Sequence, residues 1–348
     1  MVDGEAAGIG RDAGQSVATL DEPTFSRLAE GHRRELQVHC YRMLGSFEDS
    51  EDLVQETYLR AWRGRESFEG RSSVRAWLYR IATNACIDHI DRSSRTPIAR
   101  RQPAFSMEQT GEPQGLTEVP WLQPFPDRLL DQTAPSEAEP DALVISKETI
   151  ELAFLIAIQH LPPQQRAALI LRDVLAWSAN DTAAALDISV ASANSALQRA
   201  RATLKERMPA RRLDWGPSAD PSEAERQLLH ECVQALEKAD PDRFAKLLRT
   251  DVRVTMPPDA FWILGRDAFV AGLVAQFDPA SPAYFGDWRA VATRANRQPA
   301  VAGYVRQPGQ TEFRAQVLNV FRVEDGLITD VTAFLPEVFP SFGLPLTM

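Results

Sequence analysis

Residues 189–204 read SVASANSALQRARATL. Val190, Ala193, Leu197, Ala200 and Leu204 recur at spacings of three and four, so they share one helical face. Ser189 precedes that pattern, where a hydroxyl can accept from the free N–H groups of a helix start. The opposite face carries Ala191, Ser192, Ser195, Arg199 and Ala202, flanked by Asn194, Gln198 and Arg201. Short side chains let a helix backbone approach a major groove, and Asn, Gln and Arg match base edges or phosphates. Upstream, LAWSANDTAAALDI (175–188) supplies a turn and a short apolar helix built on Ala183, Ala184 and Leu186. Before it, LPPQQRAALILRDVL (161–175) starts with prolines and runs on as a third helix. A scaffold helix, a short helix and a helix with a groove-fitting face, in that order, make a helix-turn-helix. The same triplet suits a small helical bundle with a solvated polar face, and the pattern alone leaves both readings open.

The chain has 348 residues and a formal net charge of −10, an unpromising balance for a partner of a polyanion. Summed by segment, the charge is uneven: residues 60–101 carry +6 and 189–216 carry +4, whereas 102–151 carry −8. Two basic islands can meet DNA locally, and the acidic remainder makes unaided duplex binding weak and salt-sensitive. No apolar run is long enough to span a membrane, and MVDGEAAGIGRDAGQSVATL at the start lacks a basic-plus-apolar leader. Cys40, Cys86 and Cys232 are widely separated, and no Cys or His spacing reads as a zinc site. These features point to the cytoplasm, with no metal, no cofactor and no catalytic residue; the five histidines read as packed or solvated.

Composition divides the chain. Residues 1–21, Gly- and Ala-rich, read as a disordered N-terminus, 22–96 as a helical domain, and 97–142, rich in Pro and acid, as a linker. Residues 143–212 hold the helix-turn-helix domain. Residues 217–348 read as an α+β domain: a helix pattern at 222–239, then strand-like DVRVTM, WRAVATRA, AVAGYVRQ and EFRAQVLNVFRVEDGLITDVTAFL. Within the last run, Asp325-Gly326 between two alternating segments is a strong hairpin signal.

In EDSEDLVQETYLRAWRG (48–64), Val54, Tyr58, Ala61 and Trp62 form an apolar stripe with Leu53 beside it, while Asp52, Gln55, Glu56 and Arg60 point elsewhere. Such an acidic face is either solvated or docked on a basic protein partner. In FEGRSSVRAWLYRIATNACIDHIDRSSR (68–95), Arg71, Arg75, Arg80, Arg92 and Arg95 interleave with Phe68, Trp77 and Tyr79. Aromatic rings beside arginines suit single-stranded DNA, whose unstacked bases need platforms or pockets. Trp77 and Tyr79 serve equally as ordinary core.

DSEDLVQETYLRAWR, SSVRAWLYRIATNACID and LPPQQRAALILRDVLAWSANDTAAALDISVASANSALQRARATL resemble, in order, the second and fourth regions of bacterial extracytoplasmic-function (ECF) RNA polymerase sigma factors, over roughly residues 22–210. Toward the C-terminus, VRVTMPPDAFWILGRDAF and FRVEDGLITDVTAFLPE resemble a SnoaL-like α+β cone. VPWLQPFPD (119–127) is similar to the Trp-Leu-Pro element that the sigma subgroup with such a fused domain carries between its sigma regions, although Gln123 departs from that form.

The resemblance implies a multidomain protein: two all-α sigma domains, the second a helix-turn-helix, joined by an irregular linker and followed by an α+β cone. Its implied partners are RNA polymerase core and promoter DNA, both duplex and melted single strand. Asp52, Gln55, Glu56 and Arg60 would dock on the clamp of the largest core subunit, and the linker would thread toward the RNA exit path and active-centre cleft. Phe68, Arg71, Ser72, Ser73, Arg75, Trp77, Arg80 and Asn84 would melt and read the minus-ten element, with the loop from Phe68 to Ser73 holding a flipped base. Arg172, Asn194, Ser195, Gln198 and Arg199 would read the minus-thirty-five element; Asn194 stands where relatives commonly carry Arg. A cone of this kind encloses a pocket. Met256, Trp262, Trp288, Tyr304, Phe313 and Phe334 are candidate lining residues with Asp259 and Arg314 as polar members, and each also fits plain core. No His–Asp dyad of readable spacing is present, so the domain reads as regulatory, packing on the sigma regions and sensing a small-molecule ligand. Two other functions stay open: an autonomous ligand-responsive helix-turn-helix regulator, which leaves residues 50–95 without a role, and a SnoaL-type cyclase or isomerase, which needs an intact acid–base pair.

Overall fold

A computed structural model describes residues 21–68, 73–93, 119–131, 150–208, 222–259 and 261–348. The N-terminal helices are α1 (Glu22–Gly31), α2 (Arg33–Leu44), α3 (Phe47–Gly64) and α4 (Val74–Ser93). Asp21 and Ser46 cap α1 and α3 by accepting from Thr24 N and Asp49 N. Between α2 and α3 the chain turns at Gly45, where φ is +72° and a Cβ would stand 3.2 Å from Gln159 Cδ. α2, α3 and α4 bury Leu36, Tyr41, Met43, Leu53, Val54, Leu78 and Ala82. The expected stripe on α3 is shifted by part of a turn. Thr57 is fully buried with its hydroxyl donating to Leu53 O, while Tyr58 and Trp62 are half-buried at the rim.

The helix-turn-helix domain contains α6 (Leu152–Gln159), α7 (Pro163–Leu169), α8 (Ala179–Leu186) and α9 (Val190–Arg207). α7 runs into a wider turn over Ile170–Val174, closed by Leu175 N donating to Ile170 O at 2.9 Å. Ser189 caps α9 as its sequence predicts, accepting from Ser192 N. α9 buries Ala193, Ala196, Leu197 and Ala200, a seam of mostly small side chains that lets it pack closely on α7 and α8. Val190 departs from the expected stripe and is exposed at the first position of α9; in α8, Ala183, Ala185 and Leu186 are buried and Ala184 is exposed.

The C-terminal domain begins with α10 (Glu223–Glu237), opened by a reciprocal capping box between Ser222 and Glu225. It continues through α11 (Pro241–Ala245), β1 (Leu248–Thr255), β2 (Trp262–Leu264), α12 (Arg266–Phe277), β3 (Asp287–Ala295), β4 (Gln298–Arg306), β5 (Arg314–Glu324) and β6 (Leu327–Phe334). The six strands form one sheet in the order β2-β1-β6-β5-β4-β3, antiparallel except where β1 and β6 run parallel. Asp325 and Gly326 take positive φ at the β5–β6 turn, as the hairpin signal requires.

Strand alternation gives the sheet two buried faces. Val301, Phe321 and Val331 join a core with Leu229 and Cys232 of α10 and Leu273 of α12. Their neighbours Ala300, Ala302, Tyr304, Leu318, Val320 and Phe334 face the other way and enter a core that also contains Tyr41, Leu78, Phe154 and Leu171 of the helical domains. The C-terminal turn Pro336–Phe342 adds Phe339 and Phe342 to that shared core, Phe339 edge-on to Tyr304 at 5.2 Å.

Residues 119–131 form a strap at this junction that ends in α5 (Asp127–Asp131). Leu122, Phe125 and Leu130 are buried, and Phe125 lies between Tyr41 and Phe47 at 5.0 and 5.2 Å. The β3–β4 turn reaches into the same place. Asn296 and Arg297 both have positive φ there, a conformation Asn tolerates well. The Asn296 side chain accepts from Phe125 N at 2.8 Å and donates to Tyr41 Oη and Ile150 O, each at 2.7 Å. Gln298 Oε1 accepts from Leu152 N at 2.9 Å, occupying an amide at the start of α6. Asp127 accepts from Arg297 N at 2.7 Å and pairs with Arg294 at 3.4 Å. One hairpin tip therefore joins α2, the strap and the helix-turn-helix domain. No helix among the described residues is long and apolar enough to cross a membrane.

Candidate functional site

The outward face of α9 is built as its sequence suggests. Asn194, Ser195, Gln198 and Arg199 are all exposed, held outward by the small-residue seam beneath them. Arg172 sits apart from them in the wide turn after α7, half-buried, with its guanidinium donating to the Trp177 carbonyl. Arg201 leaves the groove-fitting set: it forms a two-pronged pair with Asp173, at 2.8 and 2.6 Å, that ties α9 to its scaffold helix. Nothing in the sequence spacing marks that pair, because its partners are 28 positions apart.

On the first domain, Arg71 and Ser72 lie outside the described residues. Phe68 packs on Trp77 with ring centroids 5.0 Å apart, and both are half-buried. Ser73 accepts from Ala76 N at the start of α4. Arg80 is exposed and Asn84 half-buried on the same helix. Arg75 is turned inward: its Nε is 2.7 Å from Glu35 Oε2 and its guanidinium lies 5.1 Å from the Tyr79 ring centre. Burial alone would raise the Glu35 carboxyl, but hydrogen bonds and charge from His32 and Arg75 hold it below its ordinary pKa. Tyr79 is core, 1% exposed. Asp52 and Gln55 project from α3 into solvent, and Arg60 bridges Glu56 and Asp88, each at 2.8 Å.

The two helical domains pack directly on each other. Arg166 of α7 is buried against the end of α2; it donates to the Met43 carbonyl, to Gln159 Oε1 at 2.6 Å and to the Gln159 and Leu161 carbonyls at 2.7 and 3.1 Å. Tyr79 of α4 and Trp177 of the helix-turn-helix domain stand 5.6 Å apart. Gln123, the departure from the Trp-Leu-Pro form, has a positive use. Its side-chain oxygen accepts from Ser46 Oγ at 3.2 Å and Glu48 N at 3.0 Å, and its carbonyl from Tyr41 Oη at 2.8 Å. The strap is thereby pinned to the start of α3.

The C-terminal cavity lies on the sheet face covered by α10, α11 and α12 and gives about 80 Å³ to the centre of a water molecule. Met256 and Trp288 line it, as expected; the other six candidates do not. Tyr304 and Phe334 fall one residue out of phase and point into the core shared with the helical domains. Phe313 lies between the guanidinium groups of Arg289 and Arg306, at 4.6 and 4.8 Å. Arg314 is exposed at the start of β5, Trp262 is half-buried on edge strand β2, and Asp259 is buried in the β1–β2 loop. Sequence reasoning missed Gln316, Val317 and Asn319. Gly303 pairs with Val317 and Tyr304 with Ala315, so Gln316 is the extra residue of a bulge, a local slip that alternation does not show. Among the described residues, no group of three or more His, Cys, Asp or Glu is arranged to hold a metal.

An exposed helix with a groove-fitting face on a helix-turn-helix, a second helical unit with an aromatic–arginine surface and an appended α+β cone define a DNA-reading protein with a fused α+β domain. Family descriptions agree segment by segment: Sigma-70 region 2 over residues 28–96, Sigma-70 region 4 over 152–204 and a SnoaL-like domain over 229–331. The ECF RNA polymerase sigma factor SigG of Mycobacterium tuberculosis is 40% identical over 338 residues, 97% of this chain and 88% of SigG. SigW of Bacillus subtilis, also an ECF RNA polymerase sigma factor, is 26% identical over 56% of this chain and 94% of its own length. The crystal structure of the extracytoplasmic function sigma factor SigJ of Mycobacterium tuberculosis shares the fold, with a TM-score of 0.57 and 23% identity over 92% of this chain and 99% of SigJ. The chain belongs to the ECF sigma factors, with a SnoaL-like domain at its C-terminal end.

Proposed function

We propose that this sigma factor brings RNA polymerase core to promoter DNA in the cytoplasm, and that the arrangement described above is its closed form, held shut by its own SnoaL-like domain. The functional units are those read from the sequence: 22–96 for the minus-ten element, 143–212 for the minus-thirty-five element, 97–142 as the connecting linker and 217–348 as the regulator.

The direct packing of the two DNA-facing units carries this reading. The names of the two promoter elements put them roughly 25 base pairs apart, which is roughly 85 Å of duplex at about 3.4 Å per step. Domains joined by Arg166 at the end of α2 and by Tyr79 against Trp177 cannot reach both at once. The domains must part, and the Asn296 hairpin tip, bonded to both and to the strap between them, opposes parting.

In the open form, Asn194, Ser195, Gln198 and Arg199 read the minus-thirty-five element in the major groove, and Arg172 contributes from the wide turn after α7. Phe68, Ser73, Trp77, Arg80 and Asn84 engage the melted minus-ten strand together with Arg71 and Ser72. Arg75 acts there by holding α4 to Glu35. Asp52, Gln55, Glu56 and Arg60 dock on the core enzyme. The C-terminal domain performs no reaction; it sets the closed–open balance.

Reconstitution with core polymerase and promoter-selected DNA tests the assignment. Specific initiation in the presence of core, with weak duplex binding by the chain alone, is expected. Nanomolar sequence-specific binding by the isolated chain at physiological salt would replace the sigma reading with an autonomous regulator.

A further inference from the structure

We infer that Asp173 is a positioning residue for promoter binding: it aims the free edge of the Arg201 guanidinium at a backbone phosphate on the rim of the minus-thirty-five major groove. This contact, which rests on the sigma reading above, reads no base.

The pairing is side-on. Arg201 presents Nε and one Nη to the two carboxylate oxygens of Asp173, at 2.8 and 2.6 Å. A guanidinium carries five N–H donors, and this arrangement leaves the outer edge of the fork unused, a shape that matches phosphate oxygens. Folding stability does not account for the pair. The Arg201 side chain is 58% exposed and that of Asp173 31%, and ion pairs so open to water add little to stability. The pair does restrict Arg201, whose long side chain would otherwise be ordered only on binding and at an entropic cost. Asp173 is itself well placed to hold it. It lies in the wide turn Ile170–Val174, beside Arg172, whose guanidinium is committed to the Trp177 carbonyl.

The place on α9 selects the phosphate over a base. Asn194, Gln198 and Arg201 follow at spacings of four and three along one edge of the helix. At about 1.5 Å per residue, Arg201 stands roughly 10 Å along the axis from Asn194. A recognition helix meets base edges with its N-terminal residues, and the major groove is about 8.5 Å deep. Arg201 is therefore level with the strand backbones where the helix leaves the groove. Charge supplies a sign that separates positioning from plain electrostatics. Asp173 is an anion beside a polyanion, so on charge alone its removal tightens DNA binding. If it aims Arg201, its removal weakens binding even though the chain becomes less negative.

The test is holoenzyme affinity, over a range of salt concentrations, for promoters with and without the minus-thirty-five element. On the intact promoter Arg201→Ala is expected to lower affinity about tenfold, the loss of one charge-assisted hydrogen-bonded contact. The loss should be the same for every base substitution within the element, and the slope of log K against log salt should fall by about 0.9, one phosphate. Asp173→Asn is expected to weaken binding about fivefold, the cost of ordering one long side chain, without changing that slope. Asp173→Glu should recover part of the loss, and in the Arg201→Ala background Asp173→Asn should cause no further loss. Tighter binding by Asp173→Asn would overturn the proposal in favour of plain charge. An unchanged salt slope in Arg201→Ala would overturn it by removing the phosphate contact. A loss from Asp173→Asn that persists in the Arg201→Ala background would make Asp173 a structural residue of the turn, and it also covers a variant that disturbs the fold of α9. Each of these outcomes is read on a holoenzyme that distinguishes the two promoters, and so leaves the sigma reading standing; a holoenzyme that ignores the element altogether would overturn both.

Discussion

Arg199 and His39 show how differently single residues serve this molecule. Arg199 is exposed on α9, on the face opposite buried Leu197. If it reads a base pair in two-pronged fashion, Arg199→Ala lowers holoenzyme affinity by about 1–3 kcal/mol on promoters with an intact minus-thirty-five element and leaves others unchanged. Binding isotherms on matched promoters check this, and an equal loss on all DNA would make Arg199 a phosphate contact. His39 is fully buried, with its Nε2 2.8 Å from Thr83 Oγ1. Burial, reinforced by the Arg42 charge and only partly opposed by Glu35, pushes its pKa down to about 3. Between pH 6.5 and 3 the unfolded chain then takes up a proton that the folded chain refuses, so this site makes stability fall as pH falls through that window. Urea unfolding at pH 7.5 and pH 5 should show a lower midpoint in acid, and His39→Gln should flatten the difference. An unchanged slope in that variant would assign the acid sensitivity to other groups.

Among the elements, the β3–β4 hairpin tip has the largest reach for its size. Asn296→Ala would leave Phe125 N–H and Ile150 C=O buried without that partner, a cost on the order of 3 kcal/mol to the closed arrangement. The expected outcome is faster hydrogen exchange across the strap 119–131 and faster association with core polymerase, while α9 keeps its own protection. Exchange rates that do not change would place the joint elsewhere. This joint was the least legible part of the chain. Helices α3, α8, α9 and α10, the Asp325-Gly326 hairpin and the exposed face of α9 follow from local periodicity and capping, which depend on residues a few positions apart. Gln123 could be read only as a departure from a pattern, because its partners Ser46 and Glu48 are 77 and 75 positions away. Tyr304 and Phe334 show the same limit: aromatic residues in strands signal burial, but not which of two buried faces they serve. A sheet apolar on both sides says that something covers each face, and here one cover is the protein's own helical domains.

For the whole molecule, charge and packing act together. In the proposed account, an acidic chain with two basic islands depends on a partner to hold DNA, and the two helical domains, which share one core, part when that partner binds. The shared core runs from Tyr41 and Phe125 through Tyr304 and Phe339, so opening must expose apolar surface that polymerase or promoter contacts then cover. Paired spin labels at Arg63→Cys on α3 and Lys205→Cys on α9, both exposed, read this opening directly, since the native cysteines are buried. The account predicts a short, narrow distance distribution for the free protein and one longer by tens of ångströms, roughly the reach between promoter elements, once core and promoter are bound. A distribution that stays short in a holoenzyme competent for initiation would contradict it.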